Sequence, residues 1–217
     1  MKLVDPNGED WYEIVNDETK ENEVKWTDYH SQEEMDENGI EGYYLGQAHI
    51  VFNGSRYEHP DKNGSIDGEN SACADVTLYG PNGEDDIHYY NGYTMTSNAN
   101  KYIPIAEGIY EGHTDRNKKG KLKSNLSISD PIASAKTKSR TCYTMDMKKN
   151  TNPDCMDDWN YKTVYKTGIF IHSTGSNGRL GIRNSTGCLL ISDSDWDDFK
   201  KAMTGVKNFS VRVNRTK

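Results

Sequence analysis

The sequence is poor in several things, and each shortage closes off a class of protein. It has no apolar run of membrane-spanning length, so no membrane span is expected. Its first residues, "MKLVDPNGED", lack the apolar core of a secretory leader, so no signal peptide is expected. The chain starts abruptly, as a piece of a longer protein would. Basic side chains are the scarcer charge: 26 Lys and Arg stand against 34 Asp and Glu, a formal charge of −8. Nucleic-acid binding depends on cations that neutralise phosphates, so this balance argues against a nuclease and against a nucleic-acid partner. The one basic run, "RNKKGKLK" (116 to 123), reads as a solvated loop.

Metal-ligand patterns are also missing. His30, His49, His59, His88 and His113 have no ligand spacing, so zinc is not expected. "DKNGSIDGEN" (61 to 70) partly resembles a calcium loop, but Ile66 stands where the sixth-position glycine belongs. No metal and no cofactor is implied. Cysteine is limited to four residues, Cys73, Cys142, Cys155 and Cys188. Cys142 and Cys155 bracket a short polar segment, and a bridge there would contribute about 3 kcal/mol and imply an oxidising destination. Free thiols throughout is the alternative.

What is present points to a mainly β protein. The 217 residues suffice for one large domain, or one domain plus an extension. Tyrosine is abundant at 14, and runs of Tyr, Val, Ile and Thr are broken by Gly and Asn. Residues 1 to about 45 are acidic and lack a clean period, which predicts a loosely ordered segment or a connector. "AHIVFNGSRYEH" predicts two strands around an Asn53-Gly54 turn. "ADVTLYGPNGEDDIHYYNGYTMTS" predicts strands with turns at "GPNGEDD" and at Asn91-Gly92. "IPIAEGIYEGHT" predicts a further strand. "KTVYKTGIFIH" (162 to 172) alternates, with Ile169 and Ile171 on one face and Phe170 and His172 on the other. "GCLLIS" predicts a short buried strand, and "FSVRVN" the last one. "SDSDWDDFKKAMTG" predicts a helix, capped by Ser192 or Ser194 and stopped near Gly205, with Trp196, Phe199 and Met203 on one apolar stripe.

The chemistry-bearing stretch is "GIFIHSTGSNGRLGIRNSTGCLLIS". A cysteine attacks carbonyl carbon as thiolate, and an adjacent histidine is its usual activator. His172 ends a well-patterned strand. The segment that follows holds Gly175, Gly178 and Gly181, which let the chain fold back and bring Cys188 to it. Gly187 permits a sharp turn just before the thiol, where backbone N–H groups would converge as an oxyanion requires. The competing reading is a buried thiol after a surface loop, because cysteine is among the most buried residue types.

"STGC-L" preceded by His172 resembles the signature of the L,D-transpeptidase catalytic domain, matching at His172, Ser185, Gly187, Cys188 and Leu189. Upstream, Pro104, Gly108 and Tyr110 of "YIPIAEGIYEG" resemble the family's Pro-x-Gly-x-Tyr/Phe strand, with a longer Pro-to-Gly gap. The resemblance covers roughly residues 75 to 213. Two features depart from it: the spacer from His172 to Ser185 is short, and Thr186 stands where the family usually has histidine. Both resemble transpeptidase-like toxins that bacteria inject into rivals. "VDPNGEDWYEI" likewise resembles the Asp-Pro-x-Gly junction (Asp5, Pro6, Gly8) that precedes the toxin of YD-repeat, Rhs-type carriers.

The resemblance implies an L,D-transpeptidase-like β-sandwich with one or two short helices over residues 71–217, behind a partly irregular extension over 1–70. It implies a catalytic set of Cys188, His172, Ser173, Thr186 and Gly187. It places Ser185, Arg183, Arg179 and Tyr110 at the substrate. The implied activity is an antibacterial toxin that attacks peptidoglycan stem peptides through a thioester. The outcome would be transpeptidation, D-amino-acid exchange or L,D-carboxypeptidation. A cognate immunity protein is the implied partner, and the implied site of action is the periplasm of a target bacterium, reached by secretion or delivery. The alternatives are a different Cys–His cell-wall amidase or peptidase, and a non-catalytic peptidoglycan-binding module.

Overall fold

The computed structural model describes residues 10–15, 22–55, 58, 73–95, 105, 107–114, 126–131, 142–147, 159–166, 169–174, 185 and 187–216. The elements are β1 (Asp10–Val15), β2 (Asn22–Thr27), α1 (Gln32–Glu37), β3 (Tyr43–Gly46), β4 (His49–Ser55), β5 (Ala74–Tyr79), β6 (Ile87–Tyr93) and β7 (Gly108–His113). They continue with β8 (Leu126–Pro131), β9 (Cys142–Met147), β10 (Trp159–Lys166), β11 (Ile169–Ser173), β12 (Leu189–Ile191), α2 (Asp193–Ala202) and β13 (Asn208–Thr216). The protein is mainly β, as the strand-rich pattern predicts. No helix of the described residues is long and apolar enough to cross a membrane.

Eight strands close into a barrel in the order β11-β12-β6-β5-β4-β13-β7-β8. The closure comes from β11, which bonds antiparallel to β8 and parallel to β12 and so leaves no edge. The expected sandwich is therefore replaced, in hydrogen bonding, by a closed sheet. Alternation fills the interior: Ile169, Ile171, Leu189, Ile191, Val76, Leu78, Val211 and Val213 all point into one core. Helix α2 adds Trp196 and Phe199 to that core, joined by Met203 at its C-cap, and the Tyr90 ring meets Phe199 edge-on at 5.4 Å. This is the apolar stripe read from the sequence. Each fully buried side chain of this kind contributes roughly 1.5–3 kcal/mol.

Strand β4 is buried on both faces, from His49 through Phe52. A second, three-stranded sheet in the order β2-β1-β3 packs on the outside of the barrel. Trp11 and Leu45 of that sheet pack on Ile109 of β7, with Val24, Trp26 and Tyr79 alongside. The Trp11 indole donates to the Gly80 carbonyl at 2.8 Å. Under the same sheet lie polar groups: Arg212 ion-pairs with buried Glu13, and His49 Nδ1 meets Ser210 Oγ at 2.6 Å. Helix α1 is capped by Ser31, which accepts from the Glu34 N–H, while the Glu34 carboxylate accepts from the N–H of His30 just before the cap.

Several expectations are corrected here. The segment before residue 46 is not a loose connector over its described residues, because its aromatic face gains burial from the barrel. The boundary at 70 does not hold either, since β4 is a barrel strand between β5 and β13. Neither Asn53-Gly54 nor Asn91-Gly92 is a turn. Gly54 sits within β4, where a Cβ would fall 2.0 Å from the Glu58 carboxylate. Gly92 sits within β6, where a Cβ would fall 2.4 Å from the Leu190 carbonyl oxygen. Both glycines serve close approach rather than chain reversal. The turn expected at "GPNGEDD" does form, joining β5 to β6 through Gly80 N–H to Asp86 carbonyl. The single strand expected over 162 to 172 is two, since β10 pairs only with β9, in a separate two-stranded sheet.

Candidate active site

Strand β11 brings the histidine. Ile169 and Ile171 are buried in the barrel, while Phe170 and His172 lie on the opposite face, half-buried. The parallel register with β12 pairs His172 with Leu190, so these two share the outer face. Leu190 packs there on Tyr93, with Cys73 beside them. Cys188 precedes Leu190 by two residues and so returns toward the same face. With ~3.3 Å per residue along a strand and ~4.8 Å between strands, the Cα atoms of His172 and Cys188 fall roughly 8 Å apart. Side chains reaching toward each other can bridge that separation. Cys188 is half-buried and in no disulfide.

The histidine is held in one tautomer. Its Nδ1 lies 2.8 Å from the Ser173 carbonyl oxygen. A carbonyl can only accept, so Nδ1 carries the proton and Nε2 presents a lone pair. Burial holds the His172 pKa below its ordinary value, and the bond to Ser173 opposes that shift. A neutral imidazole with an available Nε2 is the form that can take a proton from a thiol.

The turn before the cysteine is organised by Ser185, which is 1% exposed. Its Oγ accepts the Gly187 N–H at 3.1 Å and donates to the Cys188 carbonyl at 2.6 Å. Gly187 has φ +138°, a conformation that side chains disfavour, which accounts for glycine before the thiol. The Gly187 N–H was expected to serve an oxyanion. It donates to Ser185 instead, so in this conformation it is turned away from that task.

The other expected residues divide. Ser173 is buried at the end of β11 and contributes its carbonyl. Tyr110 is 1% exposed within the barrel core, on the side of the sheet opposite His172, so a substrate contact does not fit its place. Arg179, Arg183 and Thr186 lie outside the described residues, as do Cys155, the 61 to 70 loop and the 116 to 123 run. No group of three or more His, Cys, Asp and Glu poised for a metal occurs among the described residues.

One contributor was not legible in the sequence. Thr174 accepts the Asp193 N–H at 3.0 Å, and its own N–H donates to the Ile191 carbonyl. It therefore ties the end of β11 to the start of α2. Ser192 occupies the N-cap as expected but makes no side-chain capping bond. The distant threonine takes that role, and no local signal announces a cap 19 residues from its helix.

No family model, curated protein or solved structure matches this chain, so its chemistry is argued from its own residues.

Proposed function

We propose that the protein is a cysteine acyltransferase or carboxypeptidase acting on peptidoglycan stem peptides, with Cys188 as nucleophile and His172 as base. The observation that carries this reading is the pairing of β11 with β12. It sets His172, with its proton fixed on Nδ1, beside the turn that holds Cys188. His172 Nε2 takes the thiol proton, and the Cys188 thiolate adds to the carbonyl carbon of the third stem residue. The S–C bond forms, the amide C–N bond to the terminal D-amino acid breaks, and the proton passes to the leaving amine. An amine or water then attacks the thioester, giving exchange, cross-linking or trimming, and the thiol is regenerated. The L,D regiochemistry rests on the "STGC" resemblance.

Delivery as a toxin into a rival's periplasm, and neutralisation by a cognate immunity protein, belong to the same proposal. They rest on the short spacer, on Thr186 and on the Asp5-Pro6-x-Gly8 junction. Spoiling donor stems would starve normal cross-linking.

The test is muropeptide mass spectrometry of sacculi treated with wild type and with Cys188→Ala. Loss or exchange of only the terminal D-amino acid, by wild type alone, is expected. Cleavage at another amide would move the reading to a different cell-wall hydrolase. Equal toxicity of both chains would replace it with a binding module.

A further inference from the structure

We propose that Ser185 is a positioning residue for the Cys188 thiol, in place of the substrate contact expected of it. This rests on the reading of Cys188 as nucleophile. At 1% exposure the Ser185 side chain has no surface to offer a substrate. Its hydroxyl is committed twice, accepting from the Gly187 N–H and donating to the Cys188 carbonyl. Those two groups belong to the peptides on either side of the Gly187–Cys188 peptide. One oxygen atom therefore pins both flanks of the unit that carries the thiol.

The pin is needed because of what lies between. Gly187, at φ +138°, has the widest backbone freedom of any residue, so nothing local would hold Cys188 in one orientation. Beyond Cys188 the chain is fixed, because Leu189 is locked into β12 opposite Ile171. Ser185 supplies the missing constraint on the near side. It sets the direction of the Cys188 Cα–Cβ bond relative to His172. A misplacement of about 1 Å at a reacting atom costs on the order of 100-fold in rate, so losing this pin reads as lost turnover, not lost binding.

The experiment compares wild type, Ser185→Ala and Ser185→Thr. One arm measures kcat and KM on a stem tetrapeptide. The other measures iodoacetamide alkylation of Cys188 against pH, resolved by peptide mass spectrometry, and needs no substrate. For Ser185→Ala, kcat is expected to fall about 100-fold with KM unchanged. Alkylation near neutral pH should fall about tenfold, as Cys188 reverts to an ordinary thiol without its imidazole partner. Ser185→Thr retains the hydroxyl and should restore both to within about threefold of wild type. A rise in KM at constant kcat would make Ser185 a substrate contact and overturn the proposal, as would a Ser185→Ala profile equal to wild type. If Ser185→Ala does not fold, a folded Ser185→Thr that has lost the neutral-pH alkylation also overturns it. If no stem peptide is turned over by any chain, the functional reading fails while the alkylation arm still decides the role of Ser185.

Discussion

Acid should loosen this protein through one residue far from the cysteine. His49 is fully buried, with Tyr79 stacked on its ring at 5.9 Å and its Nδ1 on Ser210. The cation facing it is Arg212, which is itself paired with the Glu13 carboxylate. Burial first, and Arg212 second, pull the His49 pKa from 6.5 down to about 3. Above pH 6.5 neither the folded nor the unfolded chain protonates His49, and stability is unaffected by it. Below pH 6.5 the unfolded chain takes up a proton that the folded protein refuses. Stability then falls by up to ~1.4 kcal/mol per pH unit. Between pH 6.5 and 4.5, before most carboxylates titrate, the loss is about 2–3 kcal/mol. That is a large part of a typical total of roughly 5–15 kcal/mol.

The assay is urea unfolding at pH 7.5, 6.5, 5.5 and 4.5, followed by the intrinsic fluorescence of the four tryptophans. His49→Leu removes the titration. It starts less stable, because Ser210 loses its partner, but its stability should decline more gently with acid. His172 is present in both proteins, so its contribution cancels in the difference. Parallel wild-type and variant curves between pH 6.5 and 4.5 would refute the reasoning, by showing that His49 takes up protons while folded.

Three further outcomes follow from the packing. Gly92→Ala should cost roughly 3 kcal/mol or more, because its Cβ would strike the Leu190 carbonyl and the Val76 and Phe52 side chains; thermal unfolding reads this directly. Thr174→Val keeps the shape of the side chain but strips the cap from α2. It should cost about 1 kcal/mol, seen as a lower urea midpoint with an unchanged slope. Glu13→Ala leaves Arg212 without its carboxylate beneath the N-terminal sheet. It should destabilise by about 2–4 kcal/mol and speed hydrogen exchange at the amides of β1, while β12 stays protected if the sheet is released before the barrel opens.

Much of the site was legible because its signals are local. Alternation over "IFIH" placed His172 on the face opposite Ile169 and Ile171, and β11 keeps that arrangement. The spacing of Trp196, Phe199 and Met203 announced α2 and its buried side. Asn53-Gly54 and Asn91-Gly92 misled because one dipeptide fits two needs: a reversal of the chain, or a place where another group presses on the backbone. Only the neighbours distinguish them, and those neighbours come from Glu58 and from Leu190. Tyr110 misled in a similar way, since a tyrosine matched to a family strand carries no mark of which side of the sheet it faces.

By itself, then, the sequence determined the β class, the face of β11 that bears the histidine, and the glycine-led turn that bears the cysteine. These depend on contacts between residues close along the chain. Tertiary structure alone decided that the sheet closes, that β1, β2 and β3 form a sheet packed on the barrel rather than a trailing segment, and that Thr174 rather than Ser192 caps α2. It also decided that Ser185 turns inward to hold Cys188. Each of these depends on partners whose meeting is set by burying apolar surface, a drive with no direction and no sequence range.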